Sequence, residues 1–213
     1  MKLLRFISTI IVLTCFIACE STVTFNEPQP ADTDNLTKFP KRLQGQYLSL
    51  NDSSNLFVLN NVIIRTYDYE SILHPNQLNN INATLSGDTV IDNPTNEKTA
   101  ITYIGDSIKL PIHCVDTIFQ LDYDNVVRKF KGYYFLNTRY DKANWEVKKV
   151  ELTKGQLVIS SISTKLEIEK LIEITESPND TVPPYNFTAT KKQFKEFINS
   201  DGFNDSETFV KQK

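Results

Sequence analysis

Three cysteines and two histidines hold most of the nucleophilic and metal-binding chemistry open to this chain, and their spacing limits what they can do. His113 and Cys114 are adjacent, within Ile108-Lys109-Leu110-Pro111-Ile112-His113-Cys114. That stretch alternates apolar and polar residues, the mark of a strand, and neighbours on a strand point to opposite faces. The pair therefore cannot share a metal ion or act together as nucleophile and base. Parity predicts Ile108, Leu110, Ile112 and Cys114 buried together, with His113 outward. Asp122-Tyr123-Asp124-Asn125 offers carboxylates but lacks the glycine and distal glutamate of a calcium loop. P-loop, dinucleotide-binding and zinc patterns are absent. The sequence therefore assigns no catalytic residue, no metal ligand and no cofactor. It does leave many Asp and Glu residues from which a glycoside-cleaving pair could be assembled.

Gly105-Asp106-Ser107-Ile108 resembles the Gly-Asp-Ser-Leu block of a family of lipases and esterases. That family also needs an Asp-x-x-His pair near the C-terminus, and no histidine follows His113. The serine would lack its base, so the resemblance is set aside.

The N-terminal stretch is more informative. Lys2 and Arg5 precede an apolar run over residues 6–17, and Ala18 stands directly before Cys19. A basic start, a short apolar centre and a small residue at the cleavage point mark a secretory signal peptide, too short to span a bilayer comfortably. Phe16-Ile17-Ala18-Cys19 resembles the lipobox of bacterial lipoproteins, with Phe16 where an aliphatic residue is usual. The resemblance implies cleavage by signal peptidase II and a lipid anchor on Cys19, hence a membrane partner. Together with the wealth of Asn, Lys, Ile and Tyr, it is similar to envelope lipoproteins of Bacteroidota. Glu20 is not the inner-membrane retention signal of the enterobacterial scheme, and residues 21–25 carry no acidic export cluster. The expected location is the outer membrane, on its periplasmic face rather than the cell surface.

The same resemblance brings a modification motif, Asp followed by Ser or Thr and then an aliphatic residue or Thr, which carries O-glycans in such proteins. It occurs at Thr89, Ser107, Thr117 and Thr181. Hairpin grammar yields the same tripeptide, because Asp-Thr and Asp-Ser favour turns and a β-branched residue then opens the strand. Both readings stay open.

Losing Lys2 and Arg5 with the signal leaves 21 basic residues against 26 acidic ones, a net charge of −5 in place of −3. A mildly acidic chain has no electrostatic footprint for nucleic acid. Nine Tyr and thirteen Phe suffice for a packed core. With Cys19 lipidated, Cys114 is the sole remaining thiol, so no internal disulfide is expected.

The elements that must position any site are mostly strands. Residues 1–18 are read as signal peptide, 19–41 as a flexible, proline-bearing tether, and 42–213 as a single β-rich domain with a helical C-terminal part. Asn60-Asn61, Lys131-Gly132 and Lys154-Gly155 separate apolar runs as hairpin turns do. Asp124-Asn125 is read as another such turn, giving a meander of consecutive hairpins. Trp145 and Val147 differ in parity from Val150 and Leu152, which predicts a bulge near Lys148-Lys149. Arg128-Lys129-Phe130-Lys131 reads as the solvated face of a strand. Pro75 suits the first turn of a short helix with Leu78 and Ile81. Thr164 with Glu167 forms a capping box before a helix, and Thr190 caps a second helix that Gly202 ends. The expected fold is mainly β (α+β), an antiparallel meander, strongly curved or partly closed into a barrel. The expected function is a non-enzymatic envelope module that binds a protein, glycan or small ligand. A lipocalin-like carrier and a carbohydrate-active enzyme are the alternatives, to be separated by an enclosed apolar cavity or by facing carboxylates in a cleft.

Overall fold

The computed structural model describes residues 23–177 and 183–212. The signal segment, Cys19 and Thr181 lie outside the described residues. In chain order the strands are β1 (Val23–Phe25), β2 (Asn35–Leu36), β3 (Gly45–Ser49), β4 (Asn55–Val58), β5 (Val62–Leu73), β6 (Ala83–Ser86), β7 (Thr89–Asp92) and β8 (Lys98–Ala100). They continue as β9 (Thr102–Ile104), β10 (Ser107–Gln120), β11 (Asn125–Phe130), β12 (Tyr133–Arg139), β13 (Trp145–Thr153), β14 (Gln156–Ser161), β15 (Tyr185–Phe187) and β16 (Asp205–Lys211). A 3-10 helix spans Pro75–Ile81, and two α-helices, α1 (Lys165–Thr175) and α2 (Lys191–Asn199), lie in the C-terminal part. The chain is mainly β with few helices, as its sequence predicts.

It divides into two compact units, where one domain was expected. Unit 1 takes residues up to Lys38 and Leu121–Thr208; unit 2 takes Phe39–Gln120 and the residues from Phe209. The boundary near residue 121 also breaks the expected meander. β10 pairs backward with β5, whereas β11 pairs forward with β12. The turn at Asp122–Asn125 therefore closes no hairpin between β10 and β11.

In unit 1, β2, β11, β12, β13 and β14 form an antiparallel sheet in that order. β1 pairs parallel with β15 and meets β13 at Phe25 opposite Trp145. The core is phenylalanine-rich: Phe25, Phe135, Phe187, Phe194, Phe197 and Phe203 are all buried, beside Leu171 and Val147. Both helices start on capping boxes, Thr164 with Glu167 and Thr190 with Gln193. Beyond α2, Asp201 takes the left-handed conformation. Gly202 is needed for a different reason, since a Cβ there would lie 2.5 Å from the Phe197 ring.

Residues 23–41 are not a flexible tether. Val23, Thr24 and Phe25 are buried, as are Gln29, Ala31 and Phe39. Within unit 1, side chains hold this segment by its backbone. Asn137 accepts from Gln29 N (2.5 Å) and donates to Gln29 O (2.9 Å). Arg128 donates to the carbonyls of Pro28 and Pro30 and to Asn35 Oδ1. Its guanidinium is turned inward onto that segment, and burial pushes its pKa below the usual arginine value despite the nearby acids Glu27, Asp32 and Asp34. The basic stretch at 128–131 is thus only partly a solvated face.

The bulge expected near Lys148-Lys149 is absent. β13 keeps unbroken register with both β12 and β14, and its parity shift arises because both of its faces are covered, burying Val147 and Val150 alike. Among the described residues, the pairing of β10 with β5 shifts register between Thr117 and Phe119.

In unit 2, the Phe209–Lys211 end of β16 pairs with β3, and the order continues through β4, β5, β10 and β9. β6, β7 and β8 make a separate three-stranded sheet. Neither unit's sheet closes into a barrel. The long β5–β10 hairpin dominates: Ile108 and Leu110 pack with Leu78, Ala83 and Val90. Farther along, Ile112 and Cys114 are only half-buried, a correction to the expected buried row of four, while His113 is exposed as parity predicts. The row loosens because β9 reaches only to Lys109 and β4 only to Thr66. Between those points the hairpin is a two-stranded ribbon with little to cover it.

Candidate functional site

The ribbon and the small sheet face one another across an open cleft in unit 2 of about 730 Å³. Hairpin turns at Gly87-Asp88 and over residues 93–96 set the small sheet's register. Register places Leu85, Val90 and Thr99 in one row, and Ala83 and Asp92 in the next. Asp92 N donates to Glu97 O, which makes Glu97 the cross-strand neighbour of Asp92. The cleft is lined on this side by Ala83, Val90, Asp92, Glu97 and Thr99, and on the ribbon side by Leu110, Ile112 and Tyr69. Ile112 and Tyr69 are cross-strand partners. Tyr69 and Ile81, which also lines the cleft, are each more than half exposed.

Carboxylates rim the cleft, and their partners differ. Asp68 Oδ1 lies 2.7 Å from His113 Nδ1, a cross-strand pair on β5 and β10. Glu70 pairs with Lys109 at 2.6 Å. Asp92 accepts from the Thr95 hydroxyl (2.7 Å) and the Thr95 amide (2.8 Å). Those two bonds, the hydroxyl's first, hold the Asp92 carboxyl below the ordinary aspartate pKa. The Glu97 carboxylate has no hydrogen-bond or ion-pair partner among the described residues. Neither Lys nor Arg lines the cleft.

No protein-family model, curated protein or solved structure matches this chain.

A cleft of this volume falls within the range of small-ligand and side-chain binding sites, which pair apolar walls with a few polar groups. The His113–Asp68 pair has the makings of a general base, but both groups are exposed and Cys114 alternates to the other face. It has no adjacent nucleophile among the residues that line the cleft. The lipocalin-like alternative required an enclosed apolar cavity, whereas this cleft is open and no barrel closes around it. Among the described residues, no group of three or more His, Cys, Asp or Glu is placed to hold a metal ion.

Three of the four candidate modification sites, Thr89, Ser107 and Thr117, are scattered over unit 2. Thr89 opens β7, half-buried, with its hydroxyl donating to Asp88 Oδ1 at 3.3 Å. Ser107 opens β10 and is also half-buried, while Thr117 is exposed beside the β10 irregularity. The sequence missed Asp68, Glu70, Asp92 and Glu97 as a group. Asp68 and His113 are 45 residues apart, and only the β5–β10 register joins them. The Asp92–Glu97 pair was closer to hand, since Asn93-Pro94 is a turn signal that brings its two flanks together.

Proposed function

We propose that this chain is a lipid-anchored lipoprotein of the bacterial cell envelope whose folded part is a binding module, with the unit 2 cleft as its binding site. The anchor rests on residues 1–19, as argued from the sequence. The binding reading rests on one observation: an open cleft of about 730 Å³ floored by the core residues Leu110, Ala83 and Val90, with Ile112 half-buried and Tyr69 and Ile81 exposed at its edge. Exposed apolar residues clustered at a cleft mark places where something docks. The location follows the sorting argument, the periplasmic face of the outer membrane. A carbohydrate-active reading finds no comparable support, because Asp92 and Glu97 are neighbours on one wall, and Asp68 and Glu70 are held by His113 and Lys109.

Two measurements test the anchor and the modification. Cys19→Ala is expected to release the protein from the membrane fraction or to leave it unprocessed, and to abolish labelling by a fatty acid. Labelling that persists in the variant refutes lipidation at Cys19. For the O-glycan motif, mass spectrometry of protein from its own host is expected to find Thr89 and Ser107 unmodified, since both are half-buried, with any glycan confined to Thr117 or Thr181. Unmodified peptides at all four sites leave hairpin grammar as the sole origin of the motif.

A further inference from the structure

We infer that the unit 2 cleft binds an extended protein segment presenting a lysine or arginine beside an aliphatic residue. The inference rests on the cleft's being a binding site, and it names the occupant from charge complementarity. Asp92 ends β7 and Glu97, the residue before β8, faces it across the turn, with Asp92 N donating to Glu97 O; like charges so placed repel. Thr95 supports Asp92 through hydrogen bonds, but nothing neutralises either carboxylate from within the cleft. Lys98, next along β8, alternates to the other face. Asp68 and Glu70 are turned by register to the ribbon face opposite Tyr69 and Ile112, where His113 and Lys109 pair with them, so the unpaired charge on the cleft is that of Asp92 and Glu97. A cleft lined by one sign of charge concentrates counter-charged ligands.

The apolar lining sets the second requirement. A bare metal ion or small inorganic cation would leave half-buried Ile112, and Tyr69 and Ile81 exposed at the cleft's edge, without cover. A lysine or arginine has an alkyl stem for such a wall and a cationic head for the rim. Tyr69, exposed beside Ile112, lines the same cleft and supplies an aromatic ring on which a cation can stack. The cleft is open, so a free amine would remain largely hydrated. A chain laid along it covers the walls with successive side chains.

The test is fluorescence anisotropy with the full chain and two labelled peptides of equal length. One is acetyl-Lys-Leu-Lys-Val-amide and the other acetyl-Glu-Leu-Glu-Val-amide. Two variants accompany it: the double variant Asp92→Asn with Glu97→Gln, which keeps shape and the Thr95 acceptor but removes both charges, and Tyr69→Ala at an exposed position. The lysine peptide is expected to bind, to weaken about tenfold in the double variant, and to weaken with added salt. The glutamate peptide is expected not to bind. If both peptides bind alike and Tyr69→Ala weakens both, the cationic occupant is overturned while the cleft remains a binding site. If octylammonium binds and the lysine peptide does not, the occupant is a small amine and the inference fails. If none of the three binds at millimolar concentration, the inference and the binding-module reading fall together.

Discussion

Phe194→Ala is expected to destabilise unit 1 by about 3–5 kcal/mol, the usual cost of deleting a buried phenylalanine ring. The ring is fully buried, and three others meet it edge-on: Phe25 at 5.8 Å, Phe135 at 5.1 Å and Phe203 at 6.0 Å between centroids. These come from β1, β12 and the segment after α2, so a single truncation loosens three otherwise separate parts of the unit. The surroundings cannot collapse readily into the gap. Phe197 is itself fixed against Gly202, where there is no room for even one added carbon. Urea unfolding followed by fluorescence isolates this unit, because the chain's one tryptophan, Trp145, is buried in it. A loss below about 1 kcal/mol would show that the aromatic cluster repacks freely.

Glu167→Gln is expected to cost about 3 kcal/mol at neutral pH, and that cost is expected to shrink in acid. Glu167 is buried at the third position of α1. Its Oε2 accepts from Ser163 N (3.2 Å), Thr164 N (3.0 Å) and the Thr164 hydroxyl (2.7 Å). Its Oε1 accepts from Asn204 N at 2.7 Å. Burial on its own would raise the carboxyl's pKa, but these four donors, led by the Thr164 hydroxyl, outweigh it and hold the value below that of an ordinary glutamate. A glutamine amide would set its own N–H groups against some of the same donors, and bonds to a charged group are the stronger kind. The sign follows from the lowered value. The folded state binds this proton more weakly than the unfolded chain does. The stabilisation is therefore complete above the unfolded glutamate value, about 4.3, and is lost as pH falls through the folded value. Urea titrations at pH 7 and pH 3 test this. A difference between wild type and variant that stays constant across that range contradicts the assignment.

Local grammar carried the sequence a long way. Asn60-Asn61 does join β4 to β5 through a two-residue turn, closed by Leu59 N donating to Val62 O. Lys131-Gly132 and Lys154-Gly155 do the same for the later hairpins. Both capping boxes were readable because their partners lie three residues apart. Legibility ended where partners are distant. β1 is three residues long and finds its neighbour, β15, some 160 residues away. No period can develop in so short a run. β16 was similarly opaque, since nothing in its own residues specifies pairing with β3. Arg128 looked like surface because its sequence neighbours are basic, yet the carbonyls it serves belong to residues 28 and 30. The cleft was invisible for the same reason, as its two walls come from separate sheets.

The early start of β1 bears on how far this protein can reach. If Cys19 carries the proposed acyl chains, only three residues, four Cα steps, separate it from Val23, which is already buried within unit 1. An extended chain spans at most about 3.5 Å per residue, so this mooring is no longer than about 14 Å. On that proposed anchor, unit 1 would ride close above the headgroups and search a shallow layer beside the membrane rather than a deep one. Partners held in the same membrane would meet it at high effective concentration, and partners farther away would have to come to it. A glycine-serine insertion between Cys19 and Val23 lengthens the mooring ahead of β1, and so measures what the short one confers.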